Sequence, residues 1–405
     1  MNLIFSTVGK GNFFSGYYDK VVYKNGLLLC HKANGELKKL PDEDEVVEIG
    51  CFDIKSGLWK KLGETTAWNW QQGSNLSYIG DEIGFNYRDS NSKKVTFKII
   101  DAEGNEKRSF ERPAVAYSSF SDFYLSTSLN LLTNIRASYS YAGYLLESAT
   151  TVDKLIKVCL ITGEEDVLVD ALALQEYLNI NNGVITIEHP IVSPDDSKVI
   201  FLARQRYNGK QKSYLFIYNI KLRNLTLYNK LHRVSHCCWA DTDTIIGFGN
   251  LGSGINSSKA SALISRVTPI WLRKFIKLLF LQKPNETFKL VTDGYFSLDY
   301  ITGNLKYIKK MKNLPDGHPG VIVNKDNALE IITDTYPDKS GVAYVYRVIL
   351  EGTYSDESLN RITVNTDVSF ANTGYRSDLH PKLNEGFCVL DVAVNGRREV
   401  NIYEL

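Results

Sequence analysis

Histidine recurs in one sequence context along this chain. Three of the six histidines precede proline, in "IEHP" (His189), "DGHP" (His318) and "DLHP" (His380), and each opens an apolar run. The stretch "SHCCWADTDTIIGF" places His236 at the same point of a similar pattern, without the proline. Neutral imidazoles that converge in a polar pocket can bind a divalent metal, and one outside the metal shell can act as general base near neutral pH.

A structural explanation of the same residues is also available. A single histidine is more often a hydrogen-bonded structural residue than a ligand, and a His-Pro pair can simply stop a strand from starting early. Four histidines at equivalent points of a repeated pattern favour the functional interpretation. His31 and His232 fall elsewhere in the pattern.

Short strand patterns position these histidines. Segments rich in Val, Ile, Tyr and Phe recur between Asn, Asp and Gly turns, and convincing helical patterns are nearly absent, so the sequence predicts an all-β protein. One strand-turn-strand unit recurs seven times, most clearly as "IGCFDIKSGLWKKL" and "YFSLDYITGNLKYI". Its equivalent positions fall near Asp53, Asp101, Cys159, Asn219, Asp299, Arg347 and Glu404.

This period is typical of propeller blades, and we predict one seven-bladed β-propeller over residues 1–405. A second hairpin in each unit, seen best at 189–204, supplies the other two strands of a blade. The last unit ends at Leu405 after its third strand, which leaves a sheet edge exposed. We expect residues 3–8 to fill this edge by pairing with residues 398–404. Two unrelated β-sandwiches are the alternative.

In a propeller, the first strand of every blade lines the central channel, so the four histidines should converge at one end of it. Polar and aromatic residues of the other units are expected at about the same height along the channel as the histidines. Arginine pairs with carboxylates and flat aromatic rings stack on pyranoses, so this mixture suits an acidic sugar. Trp68 and Trp70 are also compatible with packing between blades. The polar set comprises Tyr17, Tyr18, Asp19, Gln71, Gln72, Arg136, Tyr139, Tyr141, Arg204, Arg206, Asp334, Tyr336, Arg376 and Asp378.

The motifs "HPIVSPDDSKVIF", "SHCCW", "DGHPGV" and "DLHPKL", in this order, resemble the oligogalacturonate lyases, mainly over residues 185–405. Members of that family are seven-bladed propellers that cleave oligo-uronides by β-elimination with a bound manganese ion. "FFSGYYDK", "WNWQQG", "DTYPD" and the "DLHP" ending resemble more closely a group of lyase-like propeller proteins encoded among bacterial surface-polysaccharide genes.

The resemblance implies a role for each histidine. His189 resembles the base-side histidine of the lyases, and the other three resemble their metal-binding histidines. The lyases also use a glutamine three residues before the second metal histidine, where this chain has Pro315; Asp316, Gln72 or water could replace it. Our site predictions are therefore catalytic His189, Arg204, Arg206 and Tyr141; substrate-binding Tyr18, Gln72, Arg136, Tyr336 and Arg376; and His236, His318 and His380 for a divalent metal such as manganese.

Extra sequence, at about residues 252–290, separates the fourth and fifth units. Its centre, "TPIWLRKFIKLLFLQKP", predicts a basic amphipathic helix with Arg266, Arg273 and Lys277 on a narrow face and a broad apolar face opposite. Such a helix can lie on an anionic membrane or contact a partner protein through residues 268–283, or it can pack on the side of the propeller.

Composition narrows the class of protein. Lys and Arg (47) nearly balance Asp and Glu (46), so nucleic acid is not an expected partner. The six cysteines are scattered and predict reduced core thiols. Without a signal sequence or long apolar segment, we expect a cytoplasmic protein, with contact at the inner membrane as an option. The function hypothesis is a lyase on a uronate-containing glycan; the alternatives are a non-catalytic glycan-binding or polysaccharide-assembly protein, and a hydrolase or transferase using the same pocket.

Overall fold

The computed structural model describes residues 1–34, 40–144, 152–228, 231–251, 293–323, 328–350, 359–365 and 377–405. These residues form seven antiparallel sheets that follow one another along the chain, as predicted for a seven-bladed β-propeller. Six sheets have four strands, and the first has five because a short extra strand pairs with its second main strand. The predicted insertion at 252–290 lies outside the described residues.

The strands of the first four blades run in sequence order from the channel outward. The first blade contains β2 (Asn12–Phe14), β3 (Tyr23–Lys24), β4 (Leu27–Ala33), β5 (Val47–Asp53) and β6 (Leu58–Thr65); the second contains β7 (Ser77–Ile79), β8 (Glu82–Arg88), β9 (Val95–Ile100) and β10 (Glu106–Phe110); the third contains β11 (Ala116–Tyr117), β12 (Phe123–Ser126), β13 (Lys154–Cys159) and β14 (Glu165–Asp170); the fourth contains β15 (Val184–Val192), β16 (Lys198–Tyr207), β17 (Lys210–Asn219) and β18 (Asn224–Leu227).

The last three blades complete the ring, and the seventh takes its outermost strand from the N-terminus. The fifth blade contains β19 (Leu231–Trp239), β20 (Thr244–Leu251), β21 (Gly294–Asp299) and β22 (Leu305–Tyr307); the sixth contains β23 (Gly320–Val323), β24 (Leu329–Asp334), β25 (Val342–Leu350) and β26 (Leu359–Asn365); the seventh contains β27 (Lys382–Asn384), β28 (Phe387–Val394), β29 (Arg397–Glu404) and β1 (Asn2–Ser6).

Helical structure is confined to short segments in the described chain. Of the two α-helices, α1 (Leu129–Ile135) lies between β12 and β13 of the third blade, and α2 (Ala171–Tyr177) follows β14. Two 3-10 turns span Ala137–Tyr139 and Lys309–Met311. Neither α-helix has the length and apolar character needed to cross a lipid bilayer.

An aspartate at the turn between the last two strands of a blade explains the repeated sequence unit. Asp53 Oδ1 accepts hydrogen bonds from the backbone N–H groups of Lys55 and Ser56, and Asp299 Oδ1 accepts one from Thr302. A short carboxylate side chain can stabilise a tight turn in this way. The repeat positions match the ends of these strands in most blades; the sixth is displaced, because β25 continues past Arg347 to Leu350.

The two chain ends close the ring. Strand β1 pairs antiparallel with β29, with Leu3 opposite Tyr403 and Phe5 opposite Ile402, and the Thr7 N–H continues the ladder to Val400 O at 3.0 Å. This pairing confirms the predicted closure and protects the outer edge of the last blade.

The closing strand should contribute measurably to stability through Phe5. This ring is buried (8% exposed) and lies 5.5 Å from the ring of Phe52 in the first blade. We expect Phe5→Ala to lower the free energy of unfolding by about 3 kcal/mol in urea, because it leaves a cavity between two blades. Leu3, in the same strand, is 54% exposed. Leu3→Ala should cost less than about 1 kcal/mol; equal effects of the two changes would argue against this closure.

Candidate functional site

The four histidines predicted to converge lie side by side at the channel. The ring centroids of His236 and His318 are 4.1 Å apart, those of His318 and His380 are 4.4 Å apart, and those of His189 and His236 are 6.0 Å apart. Four blades therefore contribute one imidazole each to a single cluster, which we call the histidine cluster.

The backbone around His318 and His380 differs from that around His189 and His236. His318 and His380 lie two residues before β23 and β27, each followed by a proline, close to the predicted strand starts. His189 and His236 do not open their strands; they lie inside β15 and β19, where the pairing register shifts between Glu188 and Ile191 and between Val234 and Cys237. A bulge redirects a side chain out of the sheet, which explains how a mid-strand histidine reaches the channel.

Asp334, the last residue of β24, holds two members of the histidine cluster. Its carboxylate accepts hydrogen bonds from the backbone N–H of His318 at 2.6 Å, from His318 Nδ1 at 3.0 Å and from the backbone N–H of His380 at 3.1 Å. The chain approaches Asp334 so closely that a Cβ at Gly317 would clash with the Asp334 carbonyl oxygen. Burial opposes protonation of His318, but the carboxylates around it, chiefly Asp334, raise its pKa above the ordinary value.

The donor atoms of His318, Asp378 and His380 form a metal-compatible group. They lie within 4.8 Å of one another, and all three residues are buried. Among the described residues, neither His318 Nε2 nor either ring nitrogen of His380 has a hydrogen-bond partner. Because Asp334 accepts from Nδ1 of His318, Nε2 is the nitrogen left to bind a metal once it is deprotonated, as in metal-binding histidines supported by a carboxylate. Nitrogen and oxygen donors of this kind fit a divalent cation such as manganese.

The metal-compatible group differs from the predicted ligand set in one member. Asp378 joins His318 and His380, whereas His236 is not part of the group. A hydrogen bond of 2.7 Å joins Nδ1 of His236 to Ser235 Oγ, and Asp316 Oδ1 lies 3.4 Å from the same nitrogen. Burial and the neighbouring His318 lower the pKa of His236 to about 4, so this ring is neutral at neutral pH. Asp316, considered from the sequence as a replacement ligand, instead contacts His236 and Ser235.

A loop of the first blade, residues 15–20, crosses the channel mouth. The Tyr17 hydroxyl is hydrogen-bonded to Nδ1 of His189 at 2.8 Å, and the two rings stack with centroids 5.2 Å apart. The other side of Tyr17 meets His380 at 4.8 Å. Tyr18, a predicted substrate-binding residue, donates its hydroxyl to Cys237 O at 2.9 Å and lies 5.3 Å from His318. Tyr17 thus stands between His189 and the metal-compatible group.

Asp391 anchors this loop from the seventh blade. Its carboxylate accepts hydrogen bonds from the backbone N–H of Ser15 at 2.8 Å, from that of Gly16 at 3.0 Å and from Lys382 Nζ at 3.3 Å. Gly16 has φ of 98°, and a Cβ there would lie 2.8 Å from Gln72 O, so only glycine fits. Sequence reasoning missed Asp391, although a single carboxylate inside the apolar strand "FCVLDVAV" is a usable signal.

Three arginines bind one buried carboxylate beside His189. Glu188 Oε2 accepts from Arg204 Nη1 at 2.7 Å and from Arg136 Nη1 at 3.2 Å, and Oε1 accepts from Arg206 Nη2 at 2.6 Å. Burial alone would raise the pKa of Glu188, but Arg204, Arg136 and Arg206 together lower it to about 2. Glu188 therefore holds three residues with predicted roles: Arg204 and Arg206, predicted as catalytic, and Arg136, predicted to bind substrate. The sequence analysis did not single out Glu188.

The charge of this arginine cluster acts on His189. Burial and then the nearby Arg204 and Arg136 lower the pKa of His189 well below its ordinary value. The imidazole is neutral at neutral pH, and its Nε2 has no hydrogen-bond partner within the described chain. His189 is therefore an unprotonated imidazole whose proton affinity is reduced by burial and by the arginines.

A pocket opens next to His189. Tyr17, Gln72, Tyr139 and Glu188 line it, and its volume is about 20 Å³, room for one or two water molecules. Gln72 was predicted for substrate binding, and the pocket contains it.

Other predicted residues have different surroundings. Tyr141, predicted as catalytic, is 1% exposed, and its hydroxyl accepts hydrogen bonds from the amides of Asn75 at 3.0 Å and Asn86 at 2.7 Å, so its contacts are those of a core residue. Tyr336 lies 5.7 Å from His318, ring to ring. Arg376 lies outside the described residues. Trp68 and Trp70 are both buried in the core.

Buried histidine and cysteine are not confined to the site. His31, which falls outside the repeated histidine pattern, is buried in β4, where its Nε2 is bonded to Ser74 Oγ at 2.9 Å. All six cysteines are free thiols, as predicted, but only four are in the core; Cys159 and Cys238 are half-buried.

Comparison with known proteins identifies the fold. No family model and no curated protein sequence matches this chain. A solved oligogalacturonate lyase in complex with manganese is similar in structure, with a TM-score of 0.60, 14% identity, and coverage of 97% of this chain and 90% of that one. A prolyl endopeptidase structure has a TM-score of 0.50 at 10% identity and covers 100% of this chain and 51% of the other. At such identities these similarities establish the β-propeller fold alone.

Proposed function

We propose that this protein is a carbohydrate-active enzyme that cleaves a uronate-containing glycan by β-elimination. The observation that carries the proposal is the convergence of His189, His236, His318 and His380 at one channel mouth, with a metal-compatible group across Tyr17 from a neutral His189. The similarity to an oligogalacturonate lyase in complex with manganese supports the same chemistry. The sequence resemblance also supports a place in bacterial surface-polysaccharide metabolism.

His189 is the proposed base. Its Nε2 removes the proton on C5 of the uronate, next to the carboxylate; the C5–H electron pair forms the C4–C5 double bond, the C4–O bond breaks, and the leaving oxygen takes a proton. For Nε2 to accept, Nδ1 must carry the ring proton and donate it to the Tyr17 hydroxyl oxygen, 2.8 Å away. Tyr17 then fixes both the tautomer and the orientation of the ring.

His318, Asp378 and His380 would hold a divalent cation, which would supply positive charge to the enolate-like carboxylate of the transition state. Asp334 keeps His318 and His380 in place through its hydrogen bonds to both residues. Tyr336 is half-buried on this side of the site and would offer an aromatic face to a sugar ring, whereas Tyr18 is buried.

The surroundings of Glu188 argue against hydrolysis with Glu188 as the acid. Glycoside hydrolases usually need one carboxylic acid whose pKa is raised, so that it can protonate the leaving oxygen. The three arginines lower the pKa of Glu188 to about 2, so it is ionised at neutral pH.

Ultraviolet absorbance tests the proposal. The purified protein, supplied with Mn²⁺, would be incubated with a panel of uronate-containing oligosaccharides, and an increase in absorbance from the unsaturated product is expected for at least one. New reducing ends without this absorbance would identify a hydrolase instead. Binding without either signal would identify a glycan-binding or assembly protein.

A further inference from the structure

The hairpin between β16 and β17 extends beyond the rest of its blade. The two strands pair over their whole length, up to Tyr207 opposite Lys210 at the tip. The outer strand β18 pairs only with the last four residues of β17, so residues 210–214 lie at an open strand edge in the described structure. Glu188, next to His189, lies opposite Leu202. The tip of the hairpin therefore projects about 17 Å past the level of the site along the strand direction.

One face of this hairpin carries two tyrosines and two lysines. Alternate residues of a strand share a face, and so do residues directly opposite each other, so Tyr207 lies with Lys210, Lys212 and Tyr214. Tyr207 is 47% exposed, Tyr214 is half-buried and both lysines are exposed. Lys212 Nζ lies 4.6 Å from the centroid of the Tyr214 ring. We call these four residues the hairpin stripe.

The charge of the surrounding sequence has one sign. Residues 197–240 contain nine Lys and Arg and no Asp or Glu, although the whole chain has 47 of the first kind and 46 of the second. Five of the nine pair with carboxylates from outside this segment, whereas Lys210 and Lys212 pair with no carboxylate of the described chain. An anion can therefore approach these two lysines without displacing an internal partner. The five paired residues are Lys198, Arg204, Arg206, Arg223 and Arg233.

Lysines without partners beside aromatic rings suit an acidic sugar polymer. Tyrosine rings stack on the C–H face of a pyranose, and the ammonium groups attract its carboxylates. Lys210 and Tyr214 are four residues apart, about 13 Å along the strand, which exceeds the width of one sugar ring. Lysines at an open edge also hinder pairing with another chain, but that purpose does not require the partly exposed tyrosines beside them.

We infer that the hairpin stripe binds an extended acidic glycan outside the channel mouth. The stripe holds the chain and takes no part in the chemistry. The inference rests on the proposed function and extends it, because it predicts a substrate whose acidic residues continue well past the one that is cleaved, rather than a disaccharide.

The experiment measures binding without turnover. Polygalacturonate and its methyl ester, which has the same backbone without the charges, would be titrated calorimetrically into the protein with EDTA. Polygalacturonate should bind, and the ester should bind at least about tenfold more weakly. The double variant Lys210→Gln/Lys212→Gln should weaken binding about tenfold, and Tyr207→Ala about threefold. Lys306→Gln/Lys309→Gln is the control, because it removes two exposed charges from the fifth blade; it should leave the affinity unchanged.

Three results would overturn the inference: no binding of polygalacturonate, unchanged affinity in the Lys210→Gln/Lys212→Gln variant, or an equal loss in the control, which would indicate an effect of net charge alone. Binding to phosphatidylglycerol vesicles without binding to polygalacturonate would also overturn it and identify a membrane-binding surface. The readout is independent of cleavage. A protein that binds polygalacturonate through the hairpin stripe and cleaves no uronate glycan would retain this surface while the proposed lyase activity fails.

Discussion

Replacing His318 by alanine is expected to weaken Mn²⁺ binding at least about 100-fold and to abolish cleavage, because it removes a buried nitrogen from the metal-compatible group. His380→Asn should have a similar effect with less disturbance. Neither ring nitrogen of His380 has a hydrogen-bond partner in the described structure, and asparagine tolerates the positive φ of 45° at this position. Isothermal titration with Mn²⁺ and metal analysis of the purified variants would measure the effect.

A buried histidine outside the site provides the matched control. His31 is fully buried and bonded to Ser74 Oγ and to the Phe14 carbonyl. His31→Ala should lower stability by about 1–3 kcal/mol, since those two groups lose a partner, and it should leave Mn²⁺ affinity unchanged. Wild-type Mn²⁺ affinity in both His318→Ala and His380→Asn would disprove the assignment of the metal-compatible group.

The propeller could be predicted from the sequence because its determinants are local and repeated. An apolar strand, an aspartate or asparagine turn and a second strand recur, and the structure shows the reason at Asp53 and Asp299, whose side chains stabilise those turns. The ring closure followed from counting strands, since the last unit lacked one. The sixth repeat position was misplaced because "YVYRVILEG" lacks an aspartate that marks the end of the strand.

The cluster of four histidines was predictable for the same reason, but its internal geometry was not. Whether His189 opens a strand or occupies a bulge depends on how β15 pairs with β16, where Glu188 faces Leu202 and Ile191 faces Ile200. That extra residue is a property of the pairing, which no single strand sequence reveals.

The sequence analysis most often missed residues that hold other site residues in place. Glu188 looked like an ordinary strand residue, yet it binds Arg136 and Arg204, which come from two different blades. Composition and spacing do not identify the carboxylate partner of an arginine. The sequence analysis therefore assigned the arginines to a sugar ligand. Asp378 precedes His380 by two residues and was grouped with the polar set, but only the fold shows that it lies with the donor atoms of His318 and His380.

Glu188→Gln is expected to lower the free energy of unfolding at pH 7 by about 3–5 kcal/mol, the usual cost of removing one partner from a buried ion pair. Arg204 is 6% exposed at its side chain and Glu188 3%, so the guanidinium would lose its main counter-charge in a poorly solvated place. Urea unfolding would measure the change. Glu165→Gln is the control, because Glu165 pairs with Arg112 at 2.7 Å but both side chains are more than a third exposed; it should cost less than about 1 kcal/mol.

The pH dependence of this difference distinguishes a charge effect from a packing effect. The pKa of Glu188 is about 2 in the folded protein, below the value near 4.3 expected for an unfolded chain. A lowered folded pKa stabilises the protein above the unfolded pKa, and this stabilisation is lost as pH falls through the window between the two values. The difference in free energy of unfolding between wild type and Glu188→Gln should therefore be constant from about pH 7 to 5 and shrink steadily below about pH 4. A gap that stays the same at pH 3 would show that Glu188 contributes through its shape and hydrogen bonds rather than through its charge.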